Sequence, residues 1–376
     1  MKFNFSFGKE WSELKRFERL PDNERLIVFY AENKASMNHF KLLIEYLTQK
    51  MNLKICYVTS VKDDQLLSDN HEKINSFFIG DGAARTKFFL SLKTKVLIMD
   101  MPDLNTYHIK KSKVFQVHYI YIFHSMFSVH SYLRKGALDN YDTIFCVGKH
   151  HEKEIHEIEK IYQLKKKNIL EYGFGRLDYL LQQKKELKFD KNERLVIIAP
   201  TYGANNLLGI CGIDLIQILL ESNYEVLLRP HFRIFKESPK LIEKINQRFS
   251  QNPNFCLETG IIKSRSFHGS KCLISDWSGI ALEYAFVFEK PTIFIDVPQK
   301  IQNKEFSRIL LEPIEVSIRE KIGRVISLNK LNEIPKIIEE TSTMNMSEEI
   351  RNIRSKIVFN IGNSAEVGAS YIKNLL

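Results

Sequence analysis

The sequence predicts an α/β protein built from two Rossmann-like halves, each a parallel sheet wrapped by crossover helices. Three observations carry this. Short apolar runs alternate with helical stretches along the chain, a lysine-rich segment interrupts the series, and a second series of apolar runs starts after it. At 376 residues the chain exceeds the usual size of a single core, so two domains are expected.

In the first half, Leu26–Tyr30 reads as a strand and His39–Leu47 as a helix. Lys54–Val58, Val96–Met99, Tyr119–Phe123 and Thr143–Val147 continue the strands. The lysine-rich stretch Gln182–Asn192 is the best linker, which sets the halves at residues 1–182 and 193–376 with residues 183–192 between them. Leu195–Ala199 opens the second series, followed by Val226–Leu228 and Cys272–Ser275, with Lys290–Asp296 as the next buried strand. The last helix can cross back to the first half. The sequence shows no internal repeat and no low-complexity tract.

The most informative stretch is Leu273-Ile274-Ser275-Asp276-Trp277-Ser278-Gly279-Ile280-Ala281-Leu282-Glu283-Tyr284. An apolar run ends in small polar residues and then resumes at helical spacing. Such a turn offers backbone N–H groups and hydroxyls at a helix N-terminus, where the dipole favours an anion. Glu283 is expected about two turns into that helix, where a carboxylate can reach a ribose hydroxyl. Read alone, the stretch is equally an ordinary helix cap. Its company shifts the balance: Val226-Leu227-Leu228-Arg229-Pro230-His231 is a strand ending in a cation and a histidine. Ligands of parallel sheets collect beyond the carboxyl ends of strands.

Three more segments carry chemistry. His124 closes the strand that begins near Tyr119, at the ligand-bearing sheet edge, where an imidazole suits general-base work. A structural histidine bonded to backbone is the plainer alternative. Pro200-Thr201-Tyr202-Gly203 either lines the cleft or turns the chain. Tyr172-Gly173-Phe174-Gly175-Arg176-Leu177-Asp178 either approaches a ligand or forms a hinge turn.

Composition narrows the classes. The chain is 44% hydrophobic and 27% charged, as expected of a globular protein with an ample core. No run approaches the ~18 apolar residues of a spanning helix. Lys9, Glu10 and Glu13 interrupt any signal-peptide core, so a cytoplasmic protein is expected. The five cysteines are scattered and without a CxxC pair, which suggests reduced core residues. The net charge of +10, with clusters at Lys110-Lys111, Lys165-Lys166-Lys167 and Lys184-Lys185, suits anionic headgroups or a phosphate-rich acceptor. Nucleic acid is not expected, because the basic runs lack interleaved aromatics. The segment holding Phe3, Phe5, Phe7, Trp11, Leu14 and Phe17 reads as a first helix packed on its domain, with a membrane-resting segment as the alternative. No metal is expected: Asp63-Asp64 and Asp100/Asp103 read as solvated loops. The histidines of His150-His151-Glu152-Lys153-Glu154-Ile155-His156 miss the i, i+4 spacing of a helical zinc pair and read as a solvated amphipathic helix.

Taken together, Phe123-His124-Ser125, Gly175-Arg176-Leu177-Asp178, Pro200-Thr201, Arg229-Pro230-His231 and Ser275-Asp276-Trp277-Ser278-Gly279, with Glu283 and Lys290-Pro291, resemble the CDP-glycerol glycerophosphotransferases of teichoic acid and capsule synthesis. Order and spacing agree over roughly residues 115–300. The set departs from the family pattern at Ser125 (Gly in the family), Gly175 (Pro) and Gly279 (Ser). Tyr30-Ala31-Glu32-Asn33 and Asp100-Met101-Pro102-Asp103-Leu104 have no evident family counterpart, so the resemblance is to a divergent branch.

The resemblance implies a GT-B fold, two Rossmann-like domains with parallel sheets facing a central cleft. The first domain would serve the acceptor and the second the nucleotide donor. It implies a CDP-linked polyol donor and a surface glycan or lipid-linked acceptor, at the inner face of the cell membrane, with no cofactor. His124 would take the proton of the acceptor hydroxyl as it attacks the β-phosphorus and CMP leaves. Arg229 and His231 would complete the catalytic set as positive donors to the diphosphate. Ser275, Asp276, Ser278, Gly279, Glu283, Thr201 and Arg176 would bind the donor, with Asp276 as a cap and orienter. Two rival functions stay open: a transferase using a CMP- or UDP-linked sugar on the same scaffold, and a non-catalytic nucleotide- or polymer-binding protein.

Overall fold

A computed structural model describes residues 8–186, 191–258 and 264–376. The chain forms two compact units. Unit 1 comprises the chain through Ser125, then Leu133–Tyr179 and Ile357–Leu376; unit 2 comprises Met126–Tyr132 and Leu180–Lys356.

Unit 1 is built on seven parallel strands: β1 (Ile27–Ala31), β2 (Ile55–Thr59), β3 (Ile74–Phe78), β4 (Val96–Met99), β5 (His118–Ile122), β6 (Thr143–Cys146) and β7 (Asn168–Glu171). Their order is β3-β2-β1-β4-β5-β6-β7. Central strands β1, β2 and β4 are buried along their whole length, as the apolar runs require when helices cover both faces. Phe29, Phe40, Leu43, Tyr57, Ile98, Ile120 and Phe145 form part of one core with Ala369 and Ile372 of the last helix, Ser364–Asn374.

The helix Lys9–Glu18 packs on this unit through Leu14 and Phe17, both buried. The Phe17 ring meets Phe77 and Phe88 edge-on at 5.4 and 5.1 Å, and the Arg16 guanidinium lies 4.0 Å over Phe77. Phe3, Phe5 and Phe7 of the expected aromatic segment lie outside the described residues. The helix that follows β6, Lys149–Tyr162, is amphipathic, but its His151 and Glu154 are buried rather than solvated. The His151 ring lies 3.8 Å from the Phe123 ring.

Unit 2 carries six parallel strands: β8 (Asn192–Ala199), β9 (Glu225–Leu228), β10 (Phe255–Leu257), β11 (Ser270–Ser275), β12 (Thr292–Ile295) and β13 (Gly323–Ile326). The order β10-β9-β8-β11-β12-β13 is that of a dinucleotide-binding sheet, and it reverses between β8 and β11. A helix over Gly175–Glu186 covers the first residues of the expected linker, and residues 187–190 lie outside the described residues. Residues 126–132 join this unit through Glu315. Its carboxylate accepts from the Ser128 N–H (2.9 Å) and the Ser131 hydroxyl, while the Ile314 N–H donates to the Ser128 hydroxyl at 2.8 Å. Among the described residues no helix is long and apolar enough to cross a membrane.

Candidate active site

In unit 2 the sheet order opens a crevice at the carboxyl ends of β8 and β11, and five of the expected residues meet there. Thr201 follows β8; Ser275 ends β11; Asp276, Ser278 and Gly279 lead into the helix Gly279–Phe288. Asp276 is almost fully buried, and both its oxygens are taken. Oδ1 accepts from the Thr201 N–H at 2.6 Å and Oδ2 from the Leu207 N–H at 2.9 Å. It therefore caps the helix Leu207–Glu221 rather than its own, and ties the loop after β8 to the turn after β11. Burial pushes its carboxyl pKa up, against the pull of those two N–H groups. Ser275 is similarly engaged, its hydroxyl donating to the Ala199 carbonyl at 2.6 Å. Ser278 is the N-cap residue of the helix and its side chain makes no capping bond. Glu283 lies a little over one turn along the same helix, 9% exposed.

Arg229 and His231 follow β9. The Arg229 Nε stands 3.5 Å from Glu258, and its guanidinium lies 4.8 Å over the Phe267 ring. The His231 ring lies between Tyr202 and Phe232, each at 4.5 Å, and its Nδ1 accepts from the Arg233 N–H at 3.2 Å. Burial, helped by the charges of Lys300 and Arg233, pushes its pKa down to about 4. His231 is thus a neutral imidazole with its proton on Nε2, not the positive donor expected from the sequence.

The charge at this corner comes from residues that sequence reading left out. Lys300, in the loop after β12, donates to the Thr201 hydroxyl at 3.2 Å and sits 2.9 Å over the Tyr202 ring. The Arg233 guanidinium lies 4.1 Å over the same ring. Burial lowers the Lys300 pKa to about 7, while Asp276 opposes the fall. A lone lysine in a polar loop carries no pattern that would have marked it. Thr201, His231, Arg233 and Lys300 thus bring hydrogen-bond donors and positive charge to the crevice.

Unit 1 holds the other two expected residues, His124 and Arg176. His124 follows β5, and its Nδ1 lies 3.1 Å from the Asp100 carbonyl oxygen and 3.3 Å from the Tyr121 hydroxyl. A carbonyl can only accept, so Nδ1 carries the proton and Nε2 keeps its lone pair. Burial lowers the His124 pKa, against the opposing effect of the Asp100 carbonyl, so the base form persists below its ordinary range. Asp100 is not a solvated loop residue. It is 7% exposed, accepts from the Ser36 hydroxyl at 2.9 Å, and is pushed by burial to a pKa of about 7. Asp64 is likewise engaged, accepting from Tyr57 and Thr59 at 2.8 and 3.0 Å, and Asp103 pairs with Arg134 at 2.6 Å. His39, read from sequence only as part of a helix, lies with its ring 6.3 Å from that of His124, and it feels the charge of Arg176.

A separate cavity of about 430 Å³, lined by Lys111, His118, Asp142 and Lys165-Lys166-Lys167 among others, opens at the amino ends of β5, β6 and β7 and shares no residue with these positions. Among the described residues no group of three or more His, Cys, Asp or Glu side chains is placed to hold a metal ion.

Two parallel α/β units, each with its sheet reversing beside the first strand, define a GT-B fold. The fold is shared with the wall teichoic acid polymerase TagF, in a variant soaked with CDPG (TM-score 0.63, 16% identity, 97% of this chain and 93% of that one). It is also shared with the UDP-GlcNAc 2-epimerase of Methanocaldococcus jannaschii (TM-score 0.55, 13% identity, 93% and 99%) and with S. aureus MnaA bound to UDP (TM-score 0.57, 13% identity, 94% and 98%). No curated protein matches the sequence. The sequence model of the CDP-glycerol:poly(glycerophosphate) glycerophosphotransferases matches residues 13–304, and the chain belongs to that family. It is a transferase of the glycerophosphotransferase type.

Proposed function

We propose that the chain moves glycerol phosphate from CDP-glycerol to a hydroxyl of a cell-surface glycan or polymer precursor, releasing CMP. In this reading unit 2 holds the donor and unit 1 the acceptor. The diphosphate lies against Lys300, Arg233, Thr201 and the N-terminus of the helix Gly279–Phe288, with Glu283 facing the ribose. Arg229 and neutral His231 stand beside it as hydrogen-bond donors, while Ser275 and Asp276 shape the crevice through their bonds to the loop after β8.

The observation that carries the reading is the position of His124 Nδ1, 3.1 Å from the Asp100 carbonyl oxygen, which can only accept and so leaves Nε2 as the basic nitrogen. Its Nε2 takes the proton from the acceptor hydroxyl. The hydroxyl oxygen forms a bond to the β-phosphorus as the bond from that phosphorus to the CMP oxygen breaks, and CMP departs with the electron pair. Charge develops on the transferred phosphoryl oxygens, where fixed cations and N–H dipoles act most strongly.

The test is a donor screen with CDP-glycerol, CDP-ribitol, CMP-sugars and UDP-sugars, quantifying released nucleotide with glycan and glycerol phosphate acceptors. CMP from a CDP-polyol, lost in His124→Ala, supports the proposal. Turnover confined to a nucleotide sugar overturns the donor and leaves the fold intact.

A further inference from the structure

A second histidine lies beside the base. His39 belongs to the helix Met37–Glu45, is 7% exposed, and among the described residues its Nδ1 has no hydrogen-bond partner. Buried polar atoms in native proteins are nearly always paired, and an exception calls for a cause, such as a ligand that completes the pair. Its surroundings supply one. The N-terminus of the helix Gly175–Glu186 packs on this spot: a Cβ on Gly175 would stand 3.4 Å from the His39 carbonyl, and the Phe174 ring lies 5.8 Å from the His39 ring. The N-terminal turns of two helices therefore meet at His39, and the helix Gly175–Glu186 brings its positive dipole end there. Arg176, in the first turn of the second helix, adds a full charge close enough to act on the His39 ring. The ring of His124 completes the group at 6.3 Å.

We propose that His39 and Arg176, with the N-terminus of the helix Gly175–Glu186, form a subsite for a phosphate group of the acceptor, next to the hydroxyl that His124 deprotonates. The inference rests on the reading of unit 1 as the acceptor side, and it transfers Arg176 from the donor to the acceptor. Arg176 pairs with the phosphate oxygens. His39 is a positioning residue whose Nδ1 gains its partner only when phosphate arrives. Binding energy from this anchor holds the neighbouring hydroxyl against His124 Nε2, so an acceptor ending in a phosphate-bearing unit is favoured over a neutral polyol. Burial and the charge of Arg176 hold His39 neutral in the free chain, and a bound dianion reverses the balance.

Two measurements test this on the full chain. The first compares CMP release from CDP-glycerol with sn-glycerol 3-phosphate or with glycerol as acceptor, in wild type, His39→Gln and Arg176→Gln. The expected result is a preference for the phosphate-bearing acceptor that falls at least tenfold in both variants, through its KM rather than through kcat. An unchanged preference, or a KM effect of Arg176→Gln on CDP-glycerol alone, overturns the subsite. The second follows the imidazole nitrogens of His39 by NMR during titration with sn-glycerol 3-phosphate, without donor. An upward shift of the His39 pKa, absent in Arg176→Gln, supports the subsite. No shift at saturating ligand overturns it. This second arm reads binding directly, so a wild type that releases no CMP refutes the proposed reaction without deciding the subsite. Circular dichroism on each variant separates a lost subsite from a lost fold, and His39→Phe supplies a second, apolar replacement of similar size.

Discussion

The carboxylate of Asp178 accepts from both the backbone N–H (3.1 Å) and the hydroxyl of Ser364, joining the start of one helix to the start of another some 186 residues away. The Gly362 N–H donates to its second oxygen at 2.7 Å. The last residue of the Gly-Arg-Leu-Asp turn is therefore a clamp on the final helix. Gly173 serves the same junction: its φ is +104°, and a Cβ there would run into the Phe359 carbonyl. Asp178→Ala strands three donors in a buried setting. At about 1–3 kcal/mol for each buried group left unmet, a loss of roughly 3 kcal/mol in urea unfolding is expected. A change under about 0.5 kcal/mol would refute the clamp.

Asp276 makes the parallel test in unit 2. Asn at this position keeps one acceptor and turns an NH2 group toward a backbone N–H, either that of Thr201 or that of Leu207. Asp276→Asn is expected to cost roughly 2 kcal/mol and to weaken donor binding, because the loop bearing Thr201 loses its anchor. Normal stability together with normal KM for the donor would show that this carboxylate does not organise the crevice.

Lys300 predicts how donor binding responds to pH. Its pKa is lowered to about 7, so the free chain carries the charge below pH 7 and loses it as pH rises through that value. Donor Kd is expected to weaken between pH 6 and pH 8, and Lys300→Arg to abolish the trend by keeping the charge. Lys300→Gln is expected to weaken binding about tenfold at pH 6, the weaker end of what one charged hydrogen bond contributes. Isothermal titration with CDP-glycerol across that range checks all three. A pH-independent wild type rules Lys300 out.

Asp100 makes a separate pH prediction, about folding. Its folded pKa of about 7 lies above the ~3.9 of an unfolded chain. Between those values the folded state holds a proton that the unfolded state has lost, so this group's contribution to stability declines as pH rises from about 4 to about 7. Asp100→Asn, which keeps an acceptor for the Ser36 hydroxyl, should flatten that part of the Tm–pH curve. Superimposable curves for the two proteins would contradict it.

His124 governs the acid limb of turnover. Its pKa is lowered by burial, so the base stays unprotonated below the usual ~6.5. The acid midpoint of kcat should fall below pH 6.5, and a midpoint above 7 would exclude His124 as the base.

Among the described residues nine of the thirteen strands could be read from sequence, and the four that could not are β3, β7, β10 and β13, the edges of the two sheets. Interior strands must be apolar on both faces and announce themselves as runs such as Val196-Ile197-Ile198. Edge strands face solvent along one side: Ile74-Asn75-Ser76-Phe77-Phe78 mixes polar and apolar residues, and Asn168–Glu171 is exposed at both ends. Site residues divide in a similar way. Thr201, Arg229, Asp276 and His124 were visible because they end apolar runs, where a parallel sheet gathers its ligands. Lys300 and Asp100 sit in loops whose surroundings are assembled only by tertiary structure. Asp100 looks like any solvated loop acid until burial and Ser36 are known. The same limit applies to the charge of His231, which is set first by burial and by the distant Lys300, with Arg233 as the one contributor close in sequence.

Because Ile357–Leu376 belongs to unit 1, the ribosome finishes the first-made unit last. When the chain has been synthesised as far as Lys356, the strands of both sheets are complete, yet Ala369 and Ile372 have not reached the core of unit 1 and Asp178 has no Ser364 to hold. Domains usually fold as units in the order of their synthesis. Here the second-made unit has its own segments in hand while the first still waits. A premature stop shortly after Lys356 would therefore injure the half of the protein encoded first, and the damage would fall on the side that carries His124, His39 and Arg176.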